Sequence, residues 1–320
     1  MNWKRIPAAL ARRARRAGAA AVPAAATGLY RLRRAAGRLA GAADPPLPAG
    51  PLVSSVCRQA QLESEAFRAW AARMKEPPRS HRKTWEFCYI AQALFERGLL
   101  RPGARGLGFA VGREPLPALF ASFGCEIVAT DLDEASARRA GWVDTGQHAA
   151  TLAVLNERGL CPPDEFAERV SFRVVDMNAI PDDLRGFDFV WSSCSLEHLG
   201  SLAAGEAFVH RAMECLRPGG VAVHTTEYNA ASNRFTVERG PSVIFRRRDV
   251  ERIGERLVAA GHEITLDFTE GACAMDYVVD VPPYRLEPHL KLLLEGFVST
   301  SIGLIVRKAP AAALASPCAA

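Results

Sequence analysis

The fold is decided by the stretch Gly106-Leu107-Gly108-Phe109-Ala110-Val111-Gly112, a glycine-containing turn that follows an apolar run. Two strand-like segments that each end in an acid come later, at Glu126–Asp131 and Val170–Asp176. A fourth segment, Leu216-Arg217-Pro218-Gly219-Gly220, has the form of a helix end that turns into a strand. Parallel strands deliver their carboxyl ends to one edge of a sheet. This order and spacing therefore predict one nucleotide-type site on an open α/β sheet.

Strand and helix patterns alternate from Ala104 onward, which predicts a parallel sheet with helices on both faces. We predict strands near residues 104–109, 126–130, 170–174, 187–191, 220–226, 263–267 and 298–307. We predict helices near residues 115–123, 134–141, 147–158, 202–216 and 248–260, and a short helix at 287–295. The fold class is therefore α/β, with a doubly wound sheet of seven strands and an N-terminal helical extension.

The chain divides into four parts by composition: a basic Ala/Arg-rich arm (1–43), a linker and helical cap (44–103), the α/β domain (104–310) and a flexible tail (311–320). Apolar residues at helical spacing predict cap helices at 53–75 and 80–100, the second capped by Ser80 or Thr84. The cluster Arg82, Lys83, Trp85 and Glu86 would either face the predicted site or belong to a plain packing helix.

The positive charge of the chain lies in the arm. The net charge is +5, yet residues 1–43 contain one Lys, nine Arg and no acid, so the rest of the chain is mildly acidic. This distribution disfavours a nucleic-acid-binding domain. The arm is interpreted either as a solvated, partly disordered tail or as an interfacial helix that contacts an anionic membrane or an acidic partner.

The eight Cys form no Cys-x-x-Cys pair, and no Cys/His cluster has the spacing of a zinc site, so no metal is predicted. Scattered Cys in apolar patterns favour a reducing, cytoplasmic location, with peripheral membrane contact through the arm as an extension of it. No apolar run is long enough to span a membrane.

The four segments together resemble the class I S-adenosylmethionine (SAM)-dependent methyltransferases, over roughly residues 104–308. Ser195-Leu196-Glu197-His198-Leu199 adds similarity to the type that acts on small molecules. The resemblance implies SAM as the cofactor and a seventh strand inserted antiparallel beside the fifth. It also suggests transfer of a methyl group to oxygen or nitrogen of a small-molecule or saccharide acceptor.

The resemblance also implies which residues hold the cofactor. The glycine turn would approach it closely, and the helix opening near Glu114 would point its N-terminus at the methionine carboxylate. The usual pattern is acid-x-Gly-x-Gly-x-Gly. Here Gly106 stands at the acid position and Ala110 at the middle glycine, so Glu114 would replace the acid. The implied cofactor-binding residues are Gly106, Gly108, Gly112, Glu114, Asp131, Leu132, Asp176, Met177 and Ser193.

Two acids carry alternative interpretations. Asp131 ends its strand 23 residues after Gly108, where a ribose-binding acid belongs, although it could instead cap the helix near Glu134. Asp176 would accept from the adenine amino group while Met177 packs on the ring, but Asp176 could also be a turn-forming residue.

The candidate catalytic residues are His198 and Glu197, which follow the fourth strand. His198 has the more suitable unperturbed pKa for a general base, while its alternative role is a structural cap of the next helix. His224 and Glu227, near the end of the fifth strand, are second choices.

Other classes fit less well. A nicotinamide-dependent sugar-nucleotide enzyme would place a third glycine at Val111 and a Lys four residues after a Tyr, and the chain has neither. A nucleic-acid methyltransferase would carry an Asn-Pro-Pro-Tyr-like tetrapeptide after the fourth strand, which is missing. A protein of this fold that binds SAM without methyl transfer stays open as an alternative.

Overall fold

The computed structural model describes residues 21–77, 79–144, 146–149 and 152–310. Within them, nine strands form one central sheet and two more form a small parallel pair. The strands are β1 (Ser54–Ser55), β2 (Arg105–Phe109), β3 (Glu126–Asp131), β4 (Val170–Val174), β5 (Phe187–Ser193), β6 (Leu216–Asn229), β7 (Glu263–Ile264), β8 (Leu266–Asp267), β9 (Val279–Asp280), β10 (Lys291–Leu294) and β11 (Phe297–Arg307).

The order of the sheet is β4-β3-β2-β5-β6-β11-β10-β9, with β7 paired to the far end of β11. Strands β2 to β6 are parallel, whereas β11 runs antiparallel to β6. This confirms the mostly parallel sheet whose last strand is antiparallel beside the fifth. Strand order reverses between β2 and β5, and a crevice therefore opens at the carboxyl ends of those strands.

The helices are α1 (Ala21–Leu39), α2 (Gln59–Leu62), α3 (Glu65–Arg73), α4 (Arg82–Glu96), α5 (Leu116–Ala121), α6 (Glu134–Ala140), α7 (Pro163–Arg169), α8 (Leu202–Cys215) and α9 (Arg247–Ala259). Short 3-10 turns lie at Leu152–Asn156, Leu196–His198 and Ala274–Tyr277. Among the residues given above, no helix is both long enough and apolar enough to span a bilayer.

Two apolar cores lie on the two faces of the sheet. Along β5, Phe189 and Trp191 point into the core that α4 and α5 cover, whereas Val190 points into the core under α8, as does Phe187 on the other side of a bulge. This alternation is the period-two pattern of a strand buried on both faces. The ring of Tyr89 on α4 packs against Gly303, where an added Cβ would come within 2.0 Å of the ring. Helix α4 is thereby held close against the sheet.

Two predicted helices were wrong, and a third is only partly helical. Residues 53–75 contain β1, paired with β8, before α2 and α3 begin. The predicted helix at 147–158 is a 3-10 turn at 152–156, and the real helix, α7, begins only at Pro163. The segment 287–295 contains β10, because β11 supplies a pairing partner that the local pattern does not reveal. The cap of α4 is His81, whose Nδ1 accepts from Lys83 N at 3.0 Å, and not Ser80 or Thr84.

The basic arm is described only in part. Residues 21–39 form α1, while residues 1–20 and the predicted tail 311–320 lie outside the described residues. The linker is tied to the body through Asp44, which pairs with the buried Arg58 at 3.0 Å. The arm and the linker therefore enter the structure as packed elements from residue 21 onward.

Candidate active site

A cavity of about 300 Å³ opens at the carboxyl edge of β2, β3, β4 and β5. Its walls come from the loops after these strands, from the first turns of α4 and from the segment 142–148. The predicted site residues that line it are Gly112, Glu114, Asp131, Leu132, Asp176, Met177, Ser193 and His198. Gly106, Gly108 and Glu197 do not line it.

Gly106 and Gly108 are packing residues beneath the cavity. They lie beside Phe189 and Trp191 in the register of β2 and β5. A Cβ on Gly106 would come within 2.4 Å of the Phe189 ring, and one on Gly108 within 2.3 Å of the Trp191 indole. The glycines make room for these rings and do not line the cavity.

The turn after β2 provides the close approach that the sequence predicts. Ala110 and Gly112 both have positive φ, at 47° and 51°. A Cβ on Gly112 would stand 2.5 Å from the carbonyl oxygen of Gln147, so the backbone can approach the cavity only without a side chain. The following helix, α5, has six residues and begins at Leu116, which limits the electrostatic effect of its N-terminus.

Glu114 lies at the cavity wall and is only 6% exposed. Its Oε1 accepts a hydrogen bond of 2.6 Å from Nε1 of Trp191. Burial raises the pKa of Glu114 to about 8, so the side chain is largely protonated at neutral pH. A cation beside Glu114 would lower this pKa and favour the ionised carboxylate.

Asp131 connects three segments around the cavity. Its Oδ2 accepts from the backbone N–H of Gly112 at 3.2 Å and of Ala149 at 3.4 Å, and its Oδ1 accepts from Leu132 at 2.8 Å. Burial raises the pKa of this carboxyl. The helix-capping role belongs to Asp133, whose side chain accepts from Ser136 N at 2.9 Å. Asp131 is thus left to the cavity.

Asp176 and Met177 follow β4 on the opposite wall. Asp176 is exposed, and its Oδ1 accepts from Asn178 N at 2.8 Å, so it forms the turn that was the alternative interpretation. It also lines the cavity, as does the buried Met177. The two interpretations are therefore compatible, because one carboxylate has oxygens for both contacts.

His198 reaches the cavity from the 3-10 turn after β5. Its Nδ1 lies 2.8 Å from the carbonyl oxygen of Pro241, and its ring packs edge-on against Trp142 at 4.6 Å. Burial lowers the pKa of His198 to about 4, so the imidazole is neutral at pH 7. Ser201, and not His198, caps the following helix α8. The structural capping role is therefore excluded.

Glu197 lies behind His198 and is 1% exposed. It accepts from Thr226 Oγ1 at 3.0 Å, and its Oε1 is 3.9 Å from Nε2 of His198. Burial, reinforced by the charge of Glu227, raises the pKa of Glu197 to about 7. Glu197 can act on a ligand only through its neighbour, since it does not reach the cavity.

The two second-choice residues do not reach the cavity either. His224 is fully buried, shares a hydrogen bond of 2.8 Å with Ser192 Oγ, and has a pKa that burial lowers to about 3. Glu227 is paired with Arg82 and accepts from Ser299 Oγ at 2.5 Å. Both are parts of the buried polar interior between β6 and its neighbours.

Helix α4 contributes the charged side chain of Lys83, which the sequence analysis named only as one member of the Arg82–Glu86 cluster. Lys83 lines the cavity and pairs with Glu86 at 2.8 Å. Burial alone would raise the pKa of Glu86, but Lys83 and Arg82 lower it to about 2. Glu86 also accepts from Ser301 Oγ at 2.5 Å, which ties the network to β11. Trp85 faces away, donating to Gln61 at 2.8 Å.

Several lining residues were missed by the sequence analysis, namely Phe87, Trp142, Gln147, His148, Cys194 and Ser195. Ser195 is 9% exposed, and its Oγ has no hydrogen-bond partner within the described part of the chain. Cys194 has a positive φ of 47°, a strained conformation of the kind that concentrates at functional sites. No motif marks the first five of these positions, whereas Ser195 opens the Ser195–Leu199 segment that resembles the small-molecule type.

The segment from β2 into β6 also matches a known family. Residues 107–224 match the model of a family described as a methyltransferase domain. The mostly parallel sheet and this match, which covers less than half of the chain, indicate a class I SAM-dependent methyltransferase with SAM as its cofactor. No curated protein sequence matches the chain significantly.

Solved structures of similar fold include three methyltransferase-type proteins. The glycopeptide N-methyltransferase MtfA has 16% identity, with 67% of this chain and 92% of that chain covered and a TM-score of 0.41. A SAM-dependent methyltransferase from Mesorhizobium loti has 16% identity, coverage of 68% and 98%, and a TM-score of 0.42. DhpI in complex with SAH has 17% identity, coverage of 79% and 99%, and a TM-score of 0.40.

Proposed function

We propose that the protein transfers a methyl group from SAM to an oxygen or nitrogen atom of a small-molecule or saccharide acceptor. One observation carries this proposal: a single cavity at the strand-order reversal is lined both by the acids after β3 and β4 and by a neutral imidazole after β5. The acids are suited to binding a nucleoside, and the imidazole is suited to removing a proton from an acceptor.

In this proposal the segments that follow β3 and β4 hold the adenosine half of SAM. Asp131 would accept from the ribose hydroxyls, since its Oδ oxygens point to the cavity edge where backbone N–H groups already converge. Asp176 would accept from the adenine amino group, and the side chain of Met177 would cover one face of the ring. Leu132 and Ser193 would complete these walls.

The methionine half would lie between Gly112 and Glu114. The backbone at Gly112 is open to close contact, and Glu114 can offer a carboxylate to an ammonium group once a cation stabilises its charged form. This assigns to Glu114 the role that the acid before the first glycine has in the resembled family. Trp191 fixes the orientation of the carboxyl through its 2.6 Å hydrogen bond.

When bound, SAM supplies a methyl group already activated by the positive charge of its sulfonium. The protein then has to align the acceptor and take up a proton where the acceptor is a hydroxyl. His198 can take that proton at Nε2, because its Nδ1 is held by Pro241 O. Glu197, at 3.9 Å from Nε2, would stabilise the imidazolium that forms.

The test is a screen for formation of S-adenosylhomocysteine with SAM and panels of hydroxyl, amine and sugar acceptors. With an acceptor in hand, His198→Ala should lower kcat by about 100-fold or more and leave SAM affinity nearly unchanged. His210→Ala is the matched control, since His210 lies on α8 outside the cavity. If SAM binds tightly but no acceptor of any class is methylated, the protein binds SAM without turnover and the proposal fails.

The charge of the arm supports one more element of the proposal. Residues 1–43 carry ten basic residues and no acid, on a chain whose remainder is mildly acidic. We propose that the arm contacts an acidic partner or an anionic membrane surface, separately from the methyl-transfer site.

A further inference from the structure

Helix α1 has one face fixed to the body of the protein. Thr27 Oγ1 donates to Gly296 O at 2.7 Å, and the Tyr30 hydroxyl donates to Glu270 Oε2 at 2.8 Å. Arg34 contacts the same carboxylate at 3.6 Å and lies over the Tyr277 ring at 4.3 Å. Thr27, Tyr30 and Arg34 recur at three- and four-residue intervals, so they occupy one face of the helix and fix its rotation.

The opposite face of α1 is apolar and exposed. Val22, Ala25, Leu29, Leu32, Ala36 and Leu39 recur at alternating intervals of three and four residues and form one continuous stripe. Leu29 is 70% exposed, Leu32 is 71% exposed and Leu39 is 89% exposed. Large apolar side chains that are exposed along one face of a docked helix form a patch of the kind that marks an interaction site.

The charges of α1 are all positive. At 100° per residue, Arg33 lies at one edge of the stripe, whereas Arg31 and Arg38 lie toward the face of the helix that contacts the body. The helix contains no acidic residue. Arg33 is 66% exposed while its guanidinium pairs with Glu270 at 3.0 Å, so it remains available at the edge of the stripe.

We infer that the outward face of α1 binds an anionic lipid surface, with the helix lying in the plane of the interface. The stripe would enter the boundary between headgroups and acyl chains, and the guanidinium group of Arg33 at its edge would contact lipid phosphates. This deepens the arm contact proposed above and is independent of methyl transfer. Because Thr27, Tyr30 and Arg34 fix α1 to the body, lipid binding would hold the whole domain at the membrane in one orientation.

Charge complementarity favours lipid over the two protein occupants of such a stripe. A pair of α1 helices from two copies would bring together two helices that carry only positive charges and no acid, which opposes association. Residues 1–20 offer no better cover, because their sequence carries Lys4, Arg5, Arg12, Arg13, Arg15 and Arg16 and no acid. An anionic bilayer suits both the apolar stripe and the positive charge of the helix.

The experiment is co-sedimentation of the full chain with vesicles of phosphatidylcholine alone and of an equal mixture of phosphatidylcholine and phosphatidylglycerol. Binding is expected to the mixed vesicles and to be roughly tenfold weaker or more on phosphatidylcholine alone. The double variant Leu29→Gln with Leu32→Gln should lose roughly tenfold or more of its binding, since glutamine keeps the helix propensity but not the apolar contact. Arg33→Gln should lower the preference for the mixed vesicles, because it removes the positive charge at the edge of the stripe.

The matched control is Val174→Gln with Val258→Gln, which removes two exposed apolar side chains outside α1 and should bind vesicles like the parent. A SAM titration of every variant reports the methyl-transfer site separately, and unchanged SAM affinity shows that the variants are folded. Equal vesicle binding by the parent and the leucine variant would overturn the inference and assign the binding to residues 1–20. Conversion of a dimer to a monomer by the leucine variant, without lipid binding by the parent, would assign the stripe to a second copy.

Discussion

The imidazole of His198 donates its Nδ1 proton to the carbonyl oxygen of Pro241 across 2.8 Å. A carbonyl oxygen can only accept, so this contact fixes the tautomer and leaves the lone pair on Nε2. Glu197 lies 3.9 Å from that nitrogen. The relation resembles other imidazole bases, in which one ring nitrogen is oriented by an acceptor while the other takes the proton.

Glu197 should set the pH dependence of turnover. Burial and the charge of Glu227 raise its pKa to about 7, so the carboxyl is mostly protonated below that pH and ionised above it. Only the ionised form stabilises a neighbouring imidazolium. With a hydroxyl acceptor, kcat should therefore rise as the pH passes through about 7, whereas the pKa of His198, near 4, lies below this window. A pH–rate profile of Glu197→Gln should lack that inflection, and an unchanged profile would exclude Glu197 from the reaction.

Glu114 should release a proton when the cofactor binds. Burial raises its pKa to about 8, so at pH 7 the free protein holds it largely protonated. The ammonium group of SAM would favour the carboxylate, and the displaced proton would pass to the buffer. Calorimetric titration at pH 7 in buffers of different ionisation enthalpy should report net proton release by the parent. Glu114→Gln should release fewer protons, and equal release by the two proteins would place the ammonium elsewhere.

Asp131→Asn should weaken SAM binding by at least about tenfold, the effect of losing a hydrogen bond to a charged group. The amide keeps the shape of the side chain, but only one of its atoms still accepts. The matched control is Asp133→Asn, two residues away, because asparagine caps a helix as well as aspartate does. Calorimetry gives the affinities, and thermal melts show whether either protein has lost its fold.

Gly108→Ala should lower the free energy of unfolding by about 1–3 kcal/mol, since its Cβ would meet the Trp191 ring at 2.3 Å in a filled core. Urea unfolding measures the change. Gly37→Ala on α1 is the matched control, because nothing lies within 4 Å of its added Cβ. Its stability should stay the same or rise slightly. A Gly108→Ala protein as stable as the parent would contradict the packing role given to this glycine.

Much of the fold follows from local patterns in the sequence. The strands β2 to β6 and β11 are apolar runs bounded by glycine or acids, and their observed limits agree with the predicted ones within a few residues. The failures occur where distant contacts decide the structure. Lys291–Leu294 was read as part of a helix, but it forms a hairpin with β11 through Glu295 and Gly296, both at positive φ. Ala149, which was predicted to be helical, instead donates its backbone N–H to the carboxylate of Asp131, a contact that no periodicity reveals.

The candidate site was also predicted only in part from the sequence. The rule that parallel strands bring their ends to one edge was enough to place Asp131, Asp176 and His198 at one cavity. That rule does not predict Lys83 and Trp142 at the cavity, because helix packing positions Lys83 and a loop positions Trp142. The opposite error affected Gly106 and Gly108, where a motif suggested ligand contact and the neighbouring aromatic rings explain the glycines instead. The individual roles of the cavity residues stay predictions.

The most direct measurement is a calorimetric titration of the purified protein with SAM, with NADH and NADPH as controls. The proposed site predicts saturable binding of SAM, at one site per chain, and no binding of either nicotinamide. Loss of at least about tenfold in affinity with Asp131→Asn, but not with Asp133→Asn, would place that binding in the cavity. A protein that stays folded and does not bind SAM, or binds it equally well as Asp131→Asn, would contradict the assignment of this cavity.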